Sequence, residues 1–80
     1  MSPLDQPGAA EHTAYMSRLH DAGNIDCAGP LLTPGAGGMC VLADGVTGEQ
    51  ADAFGREDPG VTGGLITFEV HPWMQVYRSS

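Results

Sequence analysis

The sequence predicts an α+β domain with a small, mostly antiparallel sheet. Two stretches carry apolar residues at helical spacing, and three others are short apolar or alternating runs. Twelve glycines and six prolines divide the 80 residues into short elements. Their order is helix–strand–strand–helix–strand, which reads as α+β rather than as a wound parallel sheet.

Residues 1–7 (MSPLDQP) form a polar lead-in. A helix is expected from Pro7 to Ala22, with Pro7 at the first helical position and Asp5 or Gln6 as its cap. Glu11 falls in the early turns, where the helix dipole favours an anion. Ala9, Tyr15, Met16 and Leu19 recur at helical spacing, and His12 lies on the same stripe. Gly23 supplies the stop. Residues 25–32 (IDCAGPLL) read as a strand that closes on Gly29-Pro30, at an edge or rim because proline cannot donate to a ladder. Simple alternation puts Ile25, Cys27 and Gly29 on one face, with Asp26 and Ala28 on the other.

TPGAGG (33–38) is a loop. MCVLAD (39–44) is a second strand, apolar on both faces and so expected to be buried on both. Thr47 and Gln50 make a capping box. The helix it opens buries Ala51 and Phe54 and stops at Asp58-Pro59, because the residue before proline avoids helical backbone. DPGVTGG can start one further helical turn. LITFEVHPW (65–73) alternates, with Ile66, Phe68 and Val70 on one face and Thr67, Glu69 and His71 on the other. MQVYRSS is a tail.

Composition narrows the function. The net charge is −7, with three cations, all arginine. Nucleic acid and anionic membrane surfaces are therefore not expected partners, since both need clustered cations. No apolar run is long enough to span a bilayer. No basic and apolar leader pattern opens the chain, so a cytoplasmic protein is expected. Leu, Ile, Val and Phe make up 15 residues, about 19% of the chain. So thin a core at this charge calls for an oligomer. Cys27 and Cys40 are expected to be small buried hydrophobes, because two cysteines make no disulfide framework and their spacing fits no metal site.

His12 is the sharpest candidate for chemistry, because an imidazole on an apolar helix face can take or give a proton near neutrality. The plain alternative is a core histidine satisfied by one hydrogen bond. Asp58 is the second candidate. It suits an N-cap before Pro59, and a cap carboxylate can still reach a histidine and fix its tautomer. Asp26, Glu69 and His71 take polar strand positions, facing solvent or a wet interior shared by two subunits. His12 and His20 lie about 80° apart round the helix, so they form no clean ligand pair and no metal is expected. GAGG (35–38) precedes a strand, so it is no phosphate loop. Tyr15, Met16, Phe54 and Trp73 are expected as core or pocket wall.

Five short motifs then stand in register: His12 on its helix, Ala28-Gly29-Pro30, Asp58-Pro59, Gly64-Leu65 and Pro72-Trp73. In this order they resemble the YciI-like (YCII-related) family over about residues 8–77, taken as one domain, with 78–80 as a tail. The resemblance implies a ferredoxin-like fold of the dimeric α+β barrel type and a homodimer. Members open on an apolar strand that MSPLDQP does not resemble, so the implied sheet is a reduced, three-stranded antiparallel one with two helices. The resemblance also implies a His12–Asp58 dyad as catalytic pair. Tyr15, Gly29, Pro30, Glu69 and His71 are then the candidate substrate-binding residues. The implied activity is that of a cofactor-free, lyase- or isomerase-type enzyme acting on a small aromatic or hydroxylated molecule. A non-catalytic dimer that binds a small molecule or another protein is the alternative.

Overall fold

The computed structural model describes residues 8–79. The expected lead-in, the Pro7 start and the Asp5 or Gln6 cap lie outside them, as does Ser80. The elements run α1 (Ala9–Asp21), β1 (Ile25–Pro30), β2 (Gly38–Leu42), α2 (Gly48–Glu57) and α3 (Pro59–Thr62).

α1 starts behind Gly8, which caps it without a side-chain hydrogen bond. It stops where the sequence places a glycine. Gly23 sits at φ +83°, a left-handed conformation that suits glycine, and its N–H donates to His20 O. The next N–H, of Asn24, reaches back to Leu19 O at 3.0 Å, so the paired bonds close the last turn. The apolar stripe faces inward as expected: Ala9 is buried, and His12, Tyr15, Met16 and Leu19 are half-buried.

β1 and β2 form a two-stranded antiparallel sheet. Pro30 pairs with Gly38 at one end and Ile25 with Leu42 at the other, but the register shifts between Ile25 and Cys27. Asp26 is the extra residue of this bulge. Because side chains alternate with period two, one extra residue moves Ile25 onto the face of Ala28 and away from that of Cys27. This corrects the simple alternation. The Ile25–Ala28 face looks toward α1, and Cys27, Met39 and Val41 take the other face.

The capping box of α2 is formed: Thr47 Oγ1 accepts from Gln50 N–H at 3.1 Å, and Gln50 Oε1 accepts from Thr47 N–H at 2.9 Å. The helix buries Ala51 and half-buries Phe54, then ends at Asp58 in extended backbone (φ −65°, ψ 124°), as a residue before proline requires. Asp58 at once caps α3, the extra turn foreseen at DPGVTGG. α3 packs against both α1 and α2, while the sheet meets the helices through β1 and α1.

Four further expectations fail. The sheet has two strands, not three: residues 65–73 form no strand among the described residues, and their backbone is tied only where Leu65 and Ile66 N–H donate to Gly60 O. Alternation supplies a strand's side-chain pattern but not a neighbouring edge to pair with. Phe68 instead lays its ring over Gly55 of α2, in space that an added Cβ would occupy. Second, β2 is not buried on both faces, for Met39 is 62% exposed. Third, Cys27 and Cys40 are exposed free thiols rather than buried hydrophobes. Fourth, Trp73 is 65% exposed rather than core or pocket wall. The physical reason is shared. With one helix against one face of a two-stranded ribbon, the buried apolar set among the described residues is only Ala9, Ile25 and Ala51. No helix of the described residues is long and apolar enough to cross a membrane.

Candidate functional site

A hydrogen-bonded, buried polar feature lies where the three helices meet. His12, one turn into α1, points at the α2–α3 junction, and its Nδ1–H donates to Asp58 Oδ2 at 2.7 Å. The other carboxylate oxygen, Oδ1, accepts from Gly60 N–H at 2.8 Å. Asp58 is only 5% exposed and is the buried charged residue of the described chain. Burying a carboxylate is costly unless it is hydrogen-bonded, and both of its oxygens are. Among the described residues no buried side-chain nitrogen or oxygen lacks a partner.

The local sequence explains why the carboxylate stands there. Proline at position 59 holds Asp58 in extended backbone and opens α3 without needing an N–H partner. The first free amide is then Gly60, which the cap takes. Gly60 is also a matter of space. A Cβ there would lie 3.1 Å from both His12 Cβ and Nδ1 and 3.2 Å from Asp58 Oδ1. Sequence reasoning did not single out Gly60. The signal was present in the run Asp-Pro-Gly, where a cap, a proline and a side-chain-free third residue follow one another.

Tyr15 lies one turn after His12. Its hydroxyl donates to Phe54 O at 2.7 Å. That carbonyl is free because Asp58 N–H bonds to Gly55 O instead, at 3.3 Å. Tyr15 thus clips α1 to the end of α2 and holds Asp58 opposite His12. The hydroxyl's one proton is committed to the Phe54 carbonyl, and its oxygen keeps acceptor capacity. Burial raises the phenol pKa above its ordinary value, the Glu57 and Asp58 carboxylates raise it further, and Arg18, 5.9 Å over the ring, lowers it.

Among the described residues, none of the remaining expected contacts hydrogen-bonds to His12 or Asp58. Gly29 and Pro30 end β1, both exposed, in register with Met39 and Gly38. Glu69 Oε2 and His71 Nε2 bond to each other at 2.9 Å on an exposed segment. Asp26 is the exposed bulge residue. Among the described residues no cluster of three or more His, Cys, Asp or Glu could hold a metal ion.

Two cavities are lined by neither residue of the pair. A groove of about 330 Å³ runs between α1 and β1, lined by Thr13, Met16, Ser17, His20, Asp21, Ile25 and Ala28. A smaller one of about 160 Å³ is lined by Ile25, Asp26, Ala43, Asp44 and Arg78. The groove is on the flank of α1 next to His12, with Met16 between them.

Chemically, the pair is a histidine whose tautomer is set. An ionised carboxylate only accepts, so Nδ1 carries the proton and the Nε2 lone pair is left to act as base. Among the described residues Nε2 has no hydrogen-bond partner, and the His12 side chain is 30% exposed. No family model matches the chain, and neither a curated protein nor a solved structure matches it.

Proposed function

We propose that this chain is a YciI-like protein that works as a cofactor-free acid/base enzyme. His12 takes or gives a proton through Nε2, and Asp58 orients the ring and stabilises its charged form. The substrate class we propose is a small aromatic or hydroxylated molecule, and the reaction a lyase- or isomerase-type proton abstraction. The ferredoxin-like, dimeric α+β barrel setting belongs to the same proposal. So does a cytoplasmic location.

The observation that carries this reading is the 2.7 Å bond between a part-exposed imidazole and a buried carboxylate anchored on Gly60 N–H. A purely structural cap needs only the Gly60 contact. The second bond, across 46 residues of chain, does what a general base requires, since it fixes which nitrogen is free.

The test is His12→Ala, assayed on a panel of small hydroxylated aromatics. Turnover by the parent should vanish in the variant while its circular dichroism is kept. Equal turnover by both proteins defeats the catalytic reading. The groove beside α1 favours a second reading, a binding module, because its volume suits a small ligand and it does not include the pair. In that case a ligand binds parent and His12→Ala equally, shifts the NMR signals of Thr13 and Ser17, and is not converted.

A further inference from the structure

Residues 65–79 are exposed at every position but two. Leu65 and Phe68 are half-buried, and each sits against a glycine. Phe68 lays its ring over Gly55 of α2. Leu65 reaches the start of α1, where a Cβ added at Gly8 would lie 3.9 Å from Leu65 Cβ. The backbone of the same segment holds a third glycine, since Leu65 and Ile66 N–H donate to Gly60 O at 2.9 and 3.0 Å.

Each of these glycines is bonded to one member of the pair. Gly8 O accepts His12 N–H at 3.0 Å, and Gly55 O accepts Asp58 N–H at 3.3 Å. Gly60 N–H donates to Asp58 Oδ1 at 2.8 Å. We propose that residues 65–68 are the strap that positions the His12–Asp58 pair, with Phe68 as the positioning residue that locks it on Gly55. This role rests on the acid/base reading of the pair.

The Gly55 end is where outside support matters. The Asp58–Gly55 bond is longer than the usual N–H···O range of about 2.7–3.2 Å, so by itself it seats Asp58 weakly. A ring pressed on Gly55 keeps its carbonyl within reach. Glycine inside a helix costs stability relative to alanine, and here the space it leaves is filled by that ring. Beyond Ile66 no backbone hydrogen bond ties the segment among the described residues, so the Phe68 side chain is what holds it there.

The Gly60 end carries the effect to the histidine. Gly60 is fixed in two directions, by Asp58 on its N–H and by two amides on its carbonyl, whose two lone pairs are thereby used. It stands so close that an added Cβ would meet His12 Nδ1 at 3.1 Å. A strap that slips therefore moves the groups that set the His12–Asp58 contact.

The test reads the His12 ring by its ¹⁵N shifts and its Nδ1 proton, with no substrate present. Failure of the strap shows in these signals, whereas failure of the acid/base reading shows in turnover. In Phe68→Ala we expect the neutral ring to pass from the Nδ1–H tautomer toward a mixture of the two. Exchange of the Nδ1 proton with water should quicken by about tenfold or more, because a looser site opens more often. Gly55→Ala should do the same by displacing the ring. Both changes break one contact, so their effects should not add in the double variant. Phe68→Leu keeps apolar bulk and should restore most of the parent's signals. Ile25→Ala, a cavity at a buried residue of β1 outside the strap, should lower stability without moving them. Should Phe68→Ala fail to fold, the parent decides: in low urea the Leu65 and Ile66 amides and the Nδ1 proton must become exchangeable in one opening. Unchanged ring signals in a folded Phe68→Ala overturn the strap. So do signals moved equally by Ile25→Ala, or an Nδ1 proton that stays protected while those two amides open.

Discussion

Replacing Asp58 by asparagine separates two tasks that one carboxylate performs. Oδ1 caps α3 through Gly60 N–H, and Oδ2 accepts from His12 Nδ1–H. Asparagine keeps the volume and a cap oxygen, and it caps as well as aspartate. Its amide nitrogen then meets Nδ1 and can only donate, so the imidazole must move its proton to Nε2. In stability, a charge-assisted bond becomes a neutral one, a loss of about 1 kcal/mol. Asp58→Ala is different. It removes the cap, about 1 kcal/mol, and strands the Nδ1 donor of a part-buried ring, about 1–3 kcal/mol more. The total, about 2–4 kcal/mol, is a large share of the roughly 4–12 kcal/mol expected for a chain of 80 residues. Urea unfolding of parent, Asp58→Asn and Asp58→Ala measures the first effect. Ring ¹⁵N shifts of the neutral His12 report which nitrogen holds the proton. The expected result is a small loss and an inverted tautomer for asparagine, and a large loss for alanine. Equal instability of the two variants, or an unchanged tautomer in Asp58→Asn, refutes the division of labour.

Gly60→Ala should push His12 off Asp58, because its Cβ would sit 3.1 Å from Nδ1. We expect about 1–3 kcal/mol of destabilisation and a weakened Nδ1–H signal, and a variant as stable as the parent with the same ring shifts would show that the neighbours yield freely. Tyr15→Phe removes the hydroxyl bond to Phe54 O at a cost of about 0.5–1.5 kcal/mol near neutrality. Because the folded state raises the phenol pKa above 10.0, it holds that proton more tightly than the unfolded chain does. The associated stability is complete below pH 10 and is lost as pH rises through the folded value. The parent's advantage over Tyr15→Phe should therefore shrink in alkali, and a constant advantage from about pH 8 to 11 would contradict it.

Elements set by neighbours in sequence were legible in the sequence. The Thr47–Gln50 capping box, the Gly23 stop and the Asp58-Pro59 break act over a few residues, and each is found where its residue types stand. The helix stripe that places His12 inward is of the same kind, since helical period alone aligns residues 9, 12, 16 and 19. The partnership of His12 with Asp58 was not of this kind. Spacing placed neither against the other, and the pairing was expected only through the resemblance. Tertiary packing made it, by setting α1 across the α2–α3 junction, with Tyr15 clipping the helices and Gly60 leaving room.

Strand pairing was decided wholly in space. Residues 65–73 have the alternation of a strand, yet alternation states which side chains would share a face, not whether an edge is near enough to bond. Likewise nothing in IDCAGP announces the bulge at Asp26, which moves Ile25 to the face of Ala28. Helix ends and caps draw on hydrogen bonds between residues three or four apart, so sequence determines them. A sheet draws on bonds between residues brought together by everything else in the fold, and there only the tertiary structure could decide.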